Sequence, residues 1–174
     1  IPRLEEIVLA SDAGMVARGD LGVEVGYAQL PGLQKRILHV ARKLDRVTIT
    51  ATQMMESMIH SPVPTRAEVS DVANAVLDGS DAVMLSGESA VGKYPGRAVE
   101  AMAEVIEVAE TYQLARERGR DRFEGKVTEF AQAIAHAVMF TANHMDVEAI
   151  VALTEMGSTP LWMSRIRSDI PIFA

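Results

Sequence analysis

The sequence predicts a parallel α/β fold, and three features carry that prediction. Short apolar, β-prone runs at 14–17, 47–50 and 82–86 begin roughly 33 to 35 residues apart, the period of a strand-plus-helix unit rather than of a hairpin sandwich. Each is followed by a longer run with helical periodicity. Polar residues and glycines gather just after each strand, where parallel folds place their chemistry. Three units joined by right-handed crossovers require a parallel sheet, which a closed (β/α)8 barrel and an open doubly wound sheet both satisfy. A whole barrel needs about 250 residues, so three units make an incomplete one.

The strands are apolar and bounded by turn-forming or polar residues, as buried parallel strands are. Between the first two, a helix over 29–44 places Leu30, Leu33, Ile37, Val40, Ala41 and Leu44 on one face, with Lys35, Arg36, Arg42 and Lys43 largely elsewhere. Before the third strand, Thr65 is placed to cap a helix starting at Arg66, with Glu68 as its capping-box partner. That helix should end near Asp78 and Gly79. Pro95 suits the first turn of a further helix, which runs past Ala98, Val99, Met102, Val105, Ile106 and Ala109.

Charged residues with Gly119 and Gly125 interrupt the apolar pattern over 116–126, the expected domain boundary. It divides the chain into 1–116, a linker at 117–126, and 127–174. Beyond it, a helix over 127–144, a strand over 149–153, a helix over 158–167 and a nascent strand over 170–174 open a second α/β domain. Ile1 in place of Met, and a final strand that stops at Ala174, read as truncations.

Composition narrows the function. Against 17 basic side chains stand 24 acidic ones, a formal charge of -7 that repels polyanions, and no basic stripe interleaved with aromatics offsets it, so nucleic acid is not an expected partner. No stretch approaches the roughly 18 consecutive apolar residues of a membrane span, so no membrane partner is expected either. The chain has no cysteine, which removes disulfides and thiolate metal sites. With no secretory leader, the expected localisation is cytoplasmic. His39, His60, His136 and His144 are scattered without metal-ligand spacing, and no Ser/His/Asp order favours an acyl-transfer nucleophile.

Four polar stretches remain. After the first strand come Arg18, Gly19, Asp20, Leu21 and Gly22. Their glycines leave backbone N–H groups open to an anion, and the Asp20 carboxylate is suited to Mg²⁺, although one carboxylate makes only a partial metal site. The alternative is that Asp20 caps a helix and the glycines punctuate a turn. Arg18, Gly19 and Asp20 also spell a cell-adhesion tripeptide, a role that needs an exposed loop on a secreted protein. After the second strand, Thr52 and Gln53 could hydrogen-bond a small anionic substrate, or Thr52 could cap the next turn; Met54, Met55 and Met58 read as core filler.

After the third strand, Gly87 to Lys93 matches the G-x-x-x-x-G-K pattern of a nucleotide-binding loop. Tyr94 stands where that motif needs a Mg²⁺-ligating hydroxyl, and Pro95 follows at once, which disfavours the reading. In the C-terminal part, Thr154, Glu155, Met156, Gly157, Ser158 and Thr159 lie between a strand and a helix. That is a natural phosphate nest, or an unused turn.

Four motifs then carry a resemblance in a fixed order: Met15 to Gly22, Ala51 to Met58, Pro64 to Glu68 continuing through Asp71 to Gly79, and Met84 to Glu88. Together they closely resemble the pyruvate kinase family, of bacterial type, and the resemblance covers the whole chain, more weakly beyond Arg116. It implies the last three βα units of a (β/α)8 TIM barrel, units six to eight, followed by part of a second, regulatory α/β domain. It also accounts for the glycine-rich stretch leading to Tyr94 and Pro95, which the family carries without using it as a nucleotide loop.

Residue by residue, the resemblance implies that Asp20 holds the divalent metal, Mg²⁺ or Mn²⁺, and that the N–H groups of Arg18, Gly19 and Asp20 bind the substrate carboxylate. Thr52 resembles the active-site threonine beside the enolpyruvate, and Ser86 and Glu88 resemble members of the catalytic polar network near it. The reaction implied is phosphoryl transfer from phosphoenolpyruvate to ADP, with Mg²⁺ and K⁺. The family's catalytic lysine, second metal carboxylate, K⁺ ligands and inserted lid domain would all precede Ile1, so the segment alone should be inactive.

Thr154, Gly157, Ser158 and Thr159 resemble the family's effector loop. Members that bind fructose 1,6-bisphosphate commonly carry Lys where this chain has Glu155, so fructose 1,6-bisphosphate is not the expected activator, and another sugar phosphate or AMP stays open as effector. A homotetramer is the implied assembly, with Arg66 and its helix resembling the subunit contact region. Two other classes stay open on the residues alone: a different barrel enzyme acting on phosphoenolpyruvate or pyruvate, and a non-catalytic binding remnant.

Overall fold

Three parallel strands organise the first part of the computed structural model, which describes residues 2–117, 127, 129–166 and 168–174. In chain order the elements are α1 (Leu4–Leu9), β1 (Ala13–Ala17), α2 (Arg18–Val25), α3 (Leu30–Lys43), β2 (Val47–Ala51), a 3-10 turn (Glu56–Ile59), α4 (Arg66–Asp78), β3 (Ala82–Met84), α5 (Gly87–Ala90) and α6 (Pro95–Glu117). The strands lie in the order β1-β2-β3. Ala17 pairs with Ala51, and Ala51 with Met84, so all three strands end at the same level of the sheet. The residues that follow them are thereby brought side by side.

The helices form for local reasons. Thr65 adopts an extended backbone and its hydroxyl accepts the Glu68 N–H, while the Glu68 carboxylate accepts the Thr65 N–H at 2.7 Å, completing the expected capping box of α4. Such a cap stabilises a helix by about 1 kcal/mol. The other end stops at Gly79, whose φ of 100° suits glycine. Inside the sheet, the buried hydroxyls of β2 are satisfied: Thr48 donates its N–H and hydroxyl to Asp81, and Thr50 shares a hydrogen bond with Ser80.

Behind the strand ends, Met54, Met55, Met58, Val72, Ala75 and Ala98 are completely buried and pack with Met102 into one core cluster. The three methionines are therefore core filler, as expected. On α3, Ile37, Val40 and Leu44 pack with Ala41 and with Leu4 and Val8 of α1. The buried face extends further than the periodicity predicted, because Gln34 and Leu38 are also buried. Val99 lies off the buried face of α6 and is exposed.

Other boundaries differ from expectation for physical reasons. The segment after β1 is not an open glycine loop but the first turn of α2. Strand β3 ends at Met84, two residues early, because the Ser86 N–H turns away to the Glu88 carboxylate.

The chain divides into two compact units, Ile1–Gln113 and Leu114–Ala174. The expected linker lies outside the described residues from 118 to 126. In the second unit, α7 (Phe130–Asn143), β4 (Ile150–Val151), α8 (Ser158–Ser164) and β5 (Ile172–Phe173) follow one another, with β4 and β5 parallel. Its core joins Ala135, Met139 and Ala142, on one face of α7, to Ile150, Ala152 and Met163.

Candidate functional site

The shared level of the three strand ends places Arg18, Thr52 and Ser86 on adjacent loops. Two of these loops touch directly. Gly19 donates its N–H to the Thr52 hydroxyl oxygen at 2.9 Å. Gly19 belongs to the first turn of α2, whose N–H groups have no partner within the helix and whose dipole favours negative charge. Asp20, in the same turn, is exposed.

Thr52 holds an uncommon backbone. Its φ is 68° and that of Gln53 is 54°, in the left-handed region that β-branched residues rarely enter. Such residues are costly by roughly 1–3 kcal/mol each and persist only where the surroundings hold them. Here the Arg18 guanidinium is buried and donates to the Thr52 carbonyl at 2.8 Å and the Gln53 carbonyl at 3.0 Å. Its other nitrogen is paired with Asp71 of α4 at 2.6 Å. Glu88, only 2% exposed, accepts the Met55 N–H at 3.0 Å and the Ser86 N–H at 2.8 Å. Both of its oxygens therefore serve backbone donors on two neighbouring loops.

The glycine-rich stretch after β3 is no phosphate loop. The N–H groups of Ala90, Val91 and Gly92 bond back to Ser86 and Gly87, and that of Lys93 bonds to the Ile59 carbonyl. These donors are consumed internally. Gly92 is required for another reason: a Cβ there would lie 2.3 Å from the Glu88 carbonyl oxygen.

Glu68 joins the same region from α4. Its carboxylate accepts the Ser57 N–H at 2.7 Å and hydroxyl at 2.5 Å, as well as the Thr65 N–H and hydroxyl. Burial works to raise its pKa, but the four hydrogen bonds from Ser57 and Thr65 outweigh it and hold the group below its ordinary value.

A divalent cation fits this chain only in part. Asp20 offers one exposed carboxylate, and among the described residues no group of three or more His, Asp or Glu stands together. A groove of about 790 Å³ is lined by residues of α4 and α6 and the 62–64 turn, and includes none of the strand-end residues. In the second unit, the Thr154 hydroxyl accepts the Gly157 N–H at 2.9 Å, and Gly157, with φ of 75°, leads into α8, where Ser158 and Thr159 form the first turn.

Comparison with known proteins bears on both units. The family model described as "Pyruvate kinase, barrel domain" matches residues 1–99, and "Pyruvate kinase, alpha/beta domain" matches 132–174. The chain belongs to the pyruvate kinase family. It is 55% identical over 172 residues to a pyruvate kinase of Buchnera aphidicola subsp. Acyrthosiphon pisum and 55% identical over 175 residues to one of Haemophilus influenzae. Each alignment covers 98% of this chain and 36% of the relative. A crystal structure of a pyruvate kinase from Cryptosporidium parvum matches with a TM-score of 0.90 and 40% identity, covering 97% of this chain and 35% of that one. This chain thus spans little more than a third of its pyruvate kinase relatives. The barrel-domain match resolves the choice between closed barrel and open sheet that strand period had left open.

Beyond the residues the sequence suggested, the structure adds Asp71 and Glu68 as anchors of the strand-end loops. Glu68 was visible only as a helix-capping residue. The side chain of Arg18 gave no sequence signal for its contacts with the segment after β2.

Proposed function

We propose that this chain is part of a cytoplasmic pyruvate kinase, which transfers the phosphoryl group of phosphoenolpyruvate to ADP to give ATP and pyruvate in glycolysis. The reading rests on one observation above all: in a member of this family, the first turn of α2 meets the Thr52 hydroxyl at adjacent strand ends. Residues 1–116 are the end of the catalytic barrel and 127–174 the opening of the C-terminal regulatory domain.

In this reading the first-turn N–H groups of Arg18 and Asp20 bind the substrate carboxylate, aided by the helix dipole, while the Gly19 N–H, expected from the family resemblance to join them, is given to the Thr52 hydroxyl. Thr52 lies beside the enolpyruvate, and Ser86 belongs to the polar network near it. Glu88 and the Arg18 side chain act by positioning, since their polar atoms are engaged with loop backbone and with Asp71. Asp20 supplies one oxygen ligand to Mg²⁺ or Mn²⁺, the remainder coming from outside this chain. Phosphoryl transfer depends mainly on positioning and on neutralising charge, and a bound divalent cation supplies the latter. K⁺ is bound elsewhere in the enzyme. Because these parts lie outside the chain, the segment by itself is inactive.

The same family reading assigns Thr154, Gly157, Ser158 and Thr159 to an effector site for a sugar phosphate or AMP, and a homotetramer to the full-length enzyme. The test is a lactate-dehydrogenase-coupled assay of phosphoenolpyruvate and ADP turnover, with Mg²⁺ and K⁺, on the full-length protein and its Asp20→Ala variant. Activity that is lost in the variant supports the reading. A full-length protein without turnover under every cation condition overturns it.

A further inference from the structure

A helix cap needs only the exchange between Thr65 and Glu68, yet the Glu68 carboxylate does more. Two further hydrogen bonds come to it from Ser57, eleven residues upstream in the 3-10 turn that follows β2. The stretch from Thr52 to Ser57 opens on the left-handed Thr52 and Gln53, and its geometry depends on anchors along its length. Arg18 holds the carbonyls at its start and Glu88 holds the Met55 N–H in its middle. Glu68 holds its far end, and two residues beyond it the Ile59 carbonyl accepts the Lys93 N–H. Glu68 couples the stretch to the first turn of α4, and Arg18 reaches the next turn of that helix through Asp71.

We propose that Glu68, through its paired hydrogen bonds to Ser57, is a positioning residue for Thr52, tying the backbone of the substrate-facing strand end to the first turn of α4. This deepens the functional reading above and rests on it. A charge-assisted pair of hydrogen bonds to one residue fixes both its distance and its orientation. Without it, the strained backbone upstream can relax toward ordinary φ values and carry the Thr52 hydroxyl away from Gly19. A displacement of about 1 Å at a reacting group is enough to lower turnover by as much as about 100-fold.

Three variants of the full-length enzyme separate this role from simple helix capping. Thr65→Ala weakens the cap but leaves the Ser57 contacts; Ser57→Ala removes one tether and leaves the cap; Glu68→Ala removes both. The readouts are kcat and KM for phosphoenolpyruvate, the melting temperature, and amide hydrogen exchange over residues 52–57.

The expected result is a lowered melting temperature with kcat within about twofold for Thr65→Ala, and a kcat loss of several-fold for Ser57→Ala and about tenfold for Glu68→Ala, with KM little changed. Exchange over 52–57 accelerates in the last two variants only. If Ser57→Ala keeps wild-type kcat and exchange, or if Thr65→Ala and Glu68→Ala lower kcat equally, Glu68 is a cap and nothing more. Ser57→Ala also keeps the test decisive if Glu68→Ala folds too poorly to assay. Absence of turnover in the wild type overturns the functional reading, while the exchange data still judge the tether.

Discussion

Gly19 gives its backbone N–H to the hydroxyl oxygen of Thr52, 2.9 Å away. A hydroxyl has one hydrogen to donate and two lone pairs to accept with. Accepting from Gly19 therefore leaves the Thr52 hydrogen and one lone pair for the proposed substrate contact, while the Gly19 contact fixes where the oxygen sits. The contact itself does not demand glycine: a Cβ at position 19 would lie in ordinary contact, 3.6 Å from the Thr52 oxygen.

From this follows a contrast between two substitutions in the full-length enzyme. Thr52→Val keeps the shape and removes the acceptor, and is expected to lower kcat by about 100-fold, the scale on which single positioned polar groups act in active sites. Thr52→Ser keeps the hydroxyl, and should retain activity within about tenfold. Steady-state kinetics decide the matter; a Thr52→Val variant that keeps its activity while Thr52→Ser loses it would mean that the methyl group, not the hydroxyl, is what the site needs.

Gly92 carries a second prediction. A methyl group there would meet the Glu88 carbonyl oxygen at 2.3 Å, a backbone atom that cannot simply rotate away. Gly92→Ala should destabilise the protein by about 1–3 kcal/mol and, by shifting Glu88, loosen the backbone at Met55. Gly96→Ala, where a Cβ would meet nothing within 4 Å, is the control. Near the start of α6 it should be neutral or stabilise by up to about 1 kcal/mol. Thermal unfolding of the two variants gives the comparison, and similar melting temperatures would mean that the turn after α5 yields at little cost.

How far the sequence revealed this arrangement varied with the range of the interaction. Strand period and the Thr65 capping box are set by residues close in sequence, and both appear in the structure where local pattern placed them. The contacts that arrange the strand-end loops span greater distances: Arg18 to Asp71 across 53 positions, Glu88 to Met55 across 33. No periodicity records such pairs. Gly92 was legible as a glycine but not for its purpose, because a close approach between two backbone segments leaves the same letter as a phosphate loop. Thr52 showed no sign of its left-handed backbone, since that geometry is held, against the residue's own preference, by contacts from residues distant in sequence, Arg18 and Glu88 among them.

Acid should expose the contribution of Glu68. Its folded pKa lies below the ordinary value of 4.5, so the carboxylate's hydrogen bonds from Ser57 and Thr65 stabilise the fold fully above that value. The contribution is lost as pH falls through the folded pKa. The stability difference between the full-length protein and its Glu68→Gln variant should therefore be constant from neutral pH down to about pH 5 and shrink below pH 4.5. Chemical denaturation across this range reads it directly. A difference that grows on acidification would assign the opposite sign to the shift.

The proposed effector loop offers a test of charge. Glu155 is exposed beside the turn in which Thr154 accepts the Gly157 N–H, and its carboxylate adds negative charge where a phosphate would have to approach. At about 4 Å in water each unit-charge pair contributes about 1 kcal/mol, and a phosphate carries nearly two charges. Fructose 1,6-bisphosphate should therefore leave the half-saturating phosphoenolpyruvate concentration of the full-length enzyme essentially unchanged. Glu155→Lys reverses the sign of the interaction, and should strengthen the response to the bisphosphate by on the order of tenfold or more at low ionic strength, and less in high salt. Titration of both proteins at two salt concentrations separates the outcomes: strong activation of the wild type would show that Glu155 does not set effector choice, while a variant response insensitive to salt would place its cause in loop shape rather than charge.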